Sequence, residues 1–149
     1  MSALTFILVV LVAFIAGVAS VVDERQFHRP LVACTLMGFA LGDPTTGIML
    51  GGALELIALG WMNVGAAMAP DSALASTISA VVVIQGHQDI TTGIAIAVPL
   101  AAAGQVLTIF VRTITVFFQH QADNFAKTAN FRGIELMHIS GMALQGLRV

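Results

Sequence analysis

From Ala3 to Val22, twenty consecutive positions are uncharged and mostly apolar. A helix of that length rises about 30 Å, which matches the hydrocarbon core of a bilayer, so the pattern predicts a spanning helix. The run breaks at Asp23-Glu24-Arg25-Gln26-Phe27-His28-Arg29-Pro30, a dense polar cluster whose proline can begin a helix but cannot continue one. Residues 31–41 offer only eleven apolar positions before Gly42-Asp43-Pro44, a strong turn signal, and eleven residues are too few to cross. Residues 45–68 are apolar again and predict a second crossing. They carry Glu55 near the middle and Gly47, Gly51, Gly52, Gly60 and Gly65 along the way, a composition that invites close backbone packing. After Pro70-Asp71, the Ser/Thr-rich stretch Ser72–Gln85 predicts another undersized helix, ended by Gly86-His87-Gln88-Asp89. Residues 90–118 supply twenty-nine positions without a charge until Arg112, enough for a tilted crossing that Pro99 can bend.

Two short segments bounded by Gly and Pro, set among full-length ones, point to the re-entrant hairpins and broken helices of a transporter, where irregular backbone lines a cavity. Two short helices buried in a bundle are the plainer alternative. The fold class that follows is an all-α integral membrane protein of spanning helices with short re-entrant or broken helical hairpins, occupying residues 1–149 as one membrane-embedded domain. Within residues 119–133 the positions Ala122, Phe125, Ala126 and Ala129 recur at helical spacing, which predicts a polar interfacial connection with one apolar face down. The sequence stops at Gln145-Gly146-Leu147-Arg148-Val149, inside another apolar run, so a fragment or a truncated form is expected. No internal repeat stands out.

Composition agrees with lipid as the solvent. The chain is 58% apolar and 9% charged, against about 25% charged in ordinary globular proteins, which excludes a water-soluble domain. The net charge is -2 and no run of like charge exists, which sets nucleic acid aside. Cys34 is the single cysteine and reads as a small buried hydrophobe. The first apolar run lacks a basic n-region and a cleavage site, so it is read as a retained span. Arg25 with Arg29, and Lys127 with Arg132, with Arg112 just inside the preceding span, suggest two cytoplasmic loops separated by an even number of crossings, which residues 45–68 and 90–118 supply if the two short segments re-enter.

The candidate chemistry lies in the acids. Between Pro30 and Val111 stand Asp43, Glu55, Asp71 and Asp89 with no lysine or arginine, so no cation along that stretch neutralises them. An acid at a helix centre costs about 2.5–3.5 kcal/mol on insertion scales and faces a cavity or a partner. If residues 51–63 are helical, Gly51, Glu55, Leu59 and Asn63 share a face, and Glu55 and Asn63 line one cavity. Asp71, after Pro70, either caps free backbone amides or accepts two hydroxyl hydrogen bonds from a polyol, with Asn63 and Gln26 donating and accepting beside it. Asp43 and Asp89 read as turn and cap residues. His28, His87, His120 and His138 have no metal-ligand spacing, and no cofactor motif or hydrolytic triad is present, so stand-alone catalysis is not expected. Trp61 and Phe117-Phe118 read as interface anchors or packing, and Gln85 and Gln105 as sugar contacts or, preferably, interhelical hydrogen bonds.

The segments DERQFHRPLVACTLMGFALGD, GGALELIALGWMNVGAAMAPDSALAS and VPLAAAGQVLTIFVRTITVFFQHQAD resemble the enzyme IIC subunit of the mannose-fructose-sorbose phosphotransferase family, along essentially the whole chain. The resemblance implies a bacterial plasma-membrane, multi-pass subunit that forms a sugar pathway with a IID subunit, in a trimer of IIC-IID pairs. Each pair would have a mobile core and a V-shaped scaffold with the sugar between them. IIA and IIB domains would relay phosphate from phosphoenolpyruvate to the incoming hexose, mannose, glucose or a relative. It further implies a docking role for some bacteriocin peptides, and it matches Gln26, Asn63 and Asp71, then Glu55, to sugar contacts. Two rivals stand beside it: an ion-coupled carrier using Glu55 and Asp71, and a structural or receptor fragment.

Overall fold

The computed structural model describes residues 2–22, 25–65 and 67–149; Asp23 and Glu24 of the polar cluster lie outside them. Six helices follow one another: α1 (Ala3–Val22), α2 (Pro30–Leu41), α3 (Pro44–Ala58), α4 (Ser72–Gln85), α5 (Ile90–Lys127) and α6 (Phe131–Gly146). The described residues form no strand beyond one isolated bridge between Val64 and Ala67.

The turn chemistry read from the sequence sets most of these boundaries. Pro30 and Pro44 open α2 and α3, where a missing amide hydrogen costs nothing. Gly42 ends α2 at φ 86°, a left-handed conformation suited to glycine. Asp43, Asp71 and Asp89 each cap the following helix, accepting from the backbone N–H of Thr46, Leu74 and Thr92. The capping expectation therefore holds for all three.

Two expectations about length are corrected. Residues 45–68 do not form one crossing: α3 stops at Ala58 and the described residues between there and Asp71 form no helix. Gly60 and Gly65, the latter at φ 59°, disfavour a continuing helix. Gly51, Glu55 and Asn63 thus do not share a helix face. At the other end, no break follows Phe118; α5 continues for 38 residues to Lys127, since nothing between Phe118 and Lys127 is a helix breaker. Arg112 lies inside α5, as its place within residues 90–118 predicts, whereas the crossings counted between the basic clusters no longer hold as assigned, because residues 45–68 do not form one. Among the described residues, only α1 and α5 are long and apolar enough to cross a membrane.

Packing divides along α5. Its first half lies against α3 and α4, where Gly93 meets Val83 and Leu50 and Gly104 meets Asp71 and Leu74. Its second half runs beside α6, with Gly133 under Phe125 and Gly141 near Thr115. The α2–α3 hairpin and α4 enclose the core of Cys34, Met37, Leu50, Leu54, Ala75, Ala80 and Val83, joined by Ala97 and Ala101 of α5. Cys34 is fully buried, as expected of a small hydrophobe. Outward faces are apolar: Phe6, Ile7, Leu56, Val106, Phe110 and Phe117 are all more than half exposed. In water such a surface would be unstable, whereas lipid tails solvate it.

The α2–α3 hairpin closes through small residues. A Cβ on Gly47 would stand 2.5 Å from the Cys34 carbonyl oxygen and 3.0 Å from the Gly38 Cα, whereas one on Gly52 meets nothing within 4 Å. Gly47→Leu is expected to destabilise the protein by at least about 2 kcal/mol, read as a lowered midpoint of thermal unfolding in detergent. Gly52→Ala, at a helical position with open space, is expected to be neutral or to stabilise by up to about 1 kcal/mol.

Candidate functional site

The non-helical stretches at residues 25–29, 59–65 and 67–71 meet the end of α1, the start of α4, the middle of α5, and the end of α6 with the residues that follow it. They surround a cavity of about 430 Å³, within the roughly 300–1,000 Å³ of small-molecule sites. Ser20 and Val21 come from α1, Gln26, His28 and Arg29 from the first stretch, and Trp61, Met62, Asn63 and Met68 to Pro70 from the second. Asp71 and Ser72 come from the start of α4, Thr108 and Arg112 from α5, and Gln145 and Arg148 from the chain's end.

Backbone and side-chain hydrogen bonds fix these walls. Asp71 N–H donates to the Ala101 carbonyl at 2.9 Å, and Gln105 Nε2 donates to the Met68 carbonyl at 2.7 Å, tying the stretch before α4 to α5. Gln105 is thus interhelical glue, the preferred reading. Ser72 Oγ donates to the His28 carbonyl at 3.2 Å, which holds the first irregular stretch to the start of α4. Asn63 Oδ1 accepts the Ala69 N–H at 2.8 Å, so its Nδ2 is the half of the amide left to donate into the cavity. Gln26 stands at φ 55°, a left-handed backbone that costs a non-glycine residue on the order of 1–2 kcal/mol. Strain of this kind concentrates where a side chain has to be aimed.

The acids carry a correction. Neither Glu55 nor Asp71 lacks a counter-ion: Arg29 pairs with Glu55 and Arg148 with Asp71. Both cations come from outside the stretch between Pro30 and Val111, which is why a local count misses them. Glu55 also accepts the Leu31 N–H at 3.2 Å and does not line the cavity; it steadies Arg29, which does. The cavity therefore brings together Gln26, Asn63 and Asp71, with Glu55 behind its wall.

Asp71 and Arg148 form the buried centre. Their side chains keep only 3% and 2% of their exposure. Asp71 Oδ1 accepts from Leu74 N–H, while Oδ2 accepts from Arg148 Nη1 and lies 3.2 Å from the Thr108 hydroxyl. Arg148 Nη1 also reaches Thr108 Oγ1, and Nη2 donates to Ser20 Oγ at 2.9 Å. A carboxylate offers about four lone-pair positions, so with three partners in place Asp71 has room for about one further hydroxyl and not the two expected from the sequence.

Arg148, Arg112, Thr108 and Ser20 went unassigned in the sequence, and Trp61 stands on the cavity wall and not merely as an anchor. One signal was readable: Gly104, Thr108 and Arg112 recur every fourth residue in an apolar helix and so share a face. No group of three or more His, Cys, Asp or Glu side chains among the described residues is placed to hold a metal ion.

Removing one member of a buried pair strands the other. Asp71→Ala is expected to destabilise by about 3–5 kcal/mol, and Asp71→Ala with Arg148→Met to recover at least half of that loss. Thermal unfolding of the three proteins in detergent measures both.

The profile of the family described as "PTS system sorbose-specific iic component" matches residues 3–149. The chain is 66% identical to the "Fructose permease IIC component" of Bacillus subtilis (strain 168) over 149 residues, covering 100% of this chain and 55% of that relative. It is 65% identical to the "PTS system sorbose-specific EIIC component" of Klebsiella pneumoniae over 148 residues, covering 99% and 56%. It is 63% identical to the "PTS system mannose-specific EIIC component" of Escherichia coli (strain K12) over 146 residues, covering 98% and 55%. The cryo-EM structure of the mannose transporter ManYZ with microcin E492 superposes with a TM-score of 0.97 at 62% identity, covering 100% of this chain and 60% of that one. The chain thus spans little more than half the length of these relatives. Its helices, apolar exterior and these matches make it an all-α integral membrane protein, and it belongs to the sorbose-specific IIC component family of the phosphotransferase system.

Proposed function

We propose that this chain forms the sugar-binding part of the translocating IIC subunit in a phosphoenolpyruvate-dependent, mannose-type phosphotransferase system. The observation that carries this reading is the cavity: amide, hydroxyl and indole groups converge on a small-molecule volume inside a membrane protein. Gln26 supplies both donor and acceptor, Asn63 Nδ2 a donor, and Asp71 an acceptor position. Trp61 offers an apolar face of the kind on which a sugar ring stacks. Such a set suits a neutral polyol, and a hexose as that polyol is supported by the relatives' names, fructose, sorbose and mannose.

The chain contributes binding and passage, and phosphoryl transfer belongs to IIA and IIB partners. The likeness to ManYZ supports a IID subunit as membrane partner, in a trimer of IIC-IID pairs, and a bacteriocin peptide as an external ligand. Residues 119–133 serve as a polar interfacial connection, now as the end of α5, the turn at 128–130 and the start of α6. The ion-coupled carrier draws no support from the site, because each acid it requires is already held by an arginine, and a paired carboxylate is a poor cation ligand.

In a membrane complex containing this chain and its IID subunit, Asn63→Ala and Gln26→Ala are each expected to weaken mannose binding about tenfold. That factor corresponds to loss of one or two hydrogen bonds to the ligand, and assembly should be retained; calorimetry and size-exclusion chromatography read the two effects. Unchanged affinity in both variants would remove these residues from the site. Uptake by vesicles should require phosphoenolpyruvate with the soluble phosphocarriers and yield sugar phosphate; accumulation of free sugar driven by an ion gradient would overturn the reading.

A further inference from the structure

Arg112 is the single charged residue of α5 between Ile90 and Asp123. A cation in a spanning helix is costly unless it faces water, a cavity or a counter-charge. It lines the cavity, four residues beyond Thr108 and hence on the same helix face. Arg29 and Arg148 reach the same cavity, each with its own carboxylate, whereas Arg112 has neither an ion pair nor a hydrogen bond among the described residues. Arg148 lines the same cavity. Arg148 in turn keeps a buried Nε without a hydrogen-bond partner among the described residues, although its other two nitrogens are engaged. Two guanidinium groups with unfilled donors at one polar cavity exceed what a neutral sugar needs. They match an anion that accepts several charge-assisted hydrogen bonds.

We propose that Arg112, with the Nε edge of Arg148 beside it, forms an anion-holding end of the cavity whose ligand is the phosphate of a phosphorylated hexose. The identity of the anion rests on the phosphotransferase reading above, in which the sugar leaves as its phosphate ester. Gln26, Asn63 and Trp61 hold the ring, and the arginine end holds the charged product, so Arg112 is a specificity-determining residue that separates product from substrate.

The test measures binding of mannose and of mannose 6-phosphate by calorimetry to the complete membrane complex that carries this chain and IID. Wild type is compared with Arg112→Gln and Arg112→Lys. The ratio of mannose 6-phosphate to mannose affinity is expected to fall about tenfold in Arg112→Gln and to stay within about threefold of wild type in Arg112→Lys, which keeps the charge. Raising the salt concentration should weaken the ester and not the sugar. An unchanged ratio in Arg112→Gln, or mannose binding with no detectable binding of the ester to wild type, overturns this inference and leaves the sugar site standing. Absence of binding by both ligands overturns the inference together with the function it rests on.

Discussion

The Asp71–Arg148 pair is the constraint on which the rest of the site depends. Two unit charges that are almost wholly withdrawn from solvent must satisfy each other and every remaining hydrogen-bonding position. That demand draws four parts of the chain to one point: the first residue before α4, Thr108 of α5, Ser20 of α1 and the segment after α6. None of these parts is adjacent in sequence; 77 residues separate Asp71 from Arg148 and 128 separate Ser20 from it. The same carboxylate caps α4, so the helix, the ion pair and the cavity wall cannot be altered independently.

The pairing also decides what the membrane-embedded acids are for. An unpaired carboxylate in lipid is naturally read as an ion or proton site, yet Asp71 serves as a joint and Glu55 as a brace for Arg29. The polar groups that line the cavity include the amides of Gln26 and Asn63 and the guanidinium of Arg112. The chamber wall therefore combines neutral donors and acceptors with the positive charge of Arg112, a combination that a cation carrier would not favour.

Much of the fold was legible because helix boundaries are set locally. Pro30, Pro44 and the three capping aspartates fixed where α2 to α5 begin, and the spacing of apolar runs identified the undersized helices. Local signals failed where two readings were equally allowed by the sequence. Residues 59–68 are as apolar as α3 and could have continued it, but the chain turns there to complete the cavity; Phe118 to Lys127 are more polar than the rest of α5 yet contain nothing that stops a helix. The site was half legible for a different reason. Gln26, Asn63 and Asp71 announce themselves as polar residues in apolar surroundings, whereas the partners of the two acids are decided by tertiary contact. Arg29 lies just outside the window in which Glu55 looks unaccompanied, and Arg148 is far along the chain.

The helices of this protein touch through their smallest residues. Gly17 faces the carbonyls of Gln145 and Gly146, and Gly146 lies under Phe14; Gly47 sits on Cys34 and Gly51 on Pro30 and Leu31. Many large side chains, by contrast, point outward. This inverts the map of tolerance familiar from soluble proteins. Sequence drift is free to exchange one bulky aliphatic for another around the perimeter, where fluid hydrocarbon accepts any shape, while the addition of a single methyl group at the seams would force backbones apart and carry the distant arginine out of reach of its carboxylate.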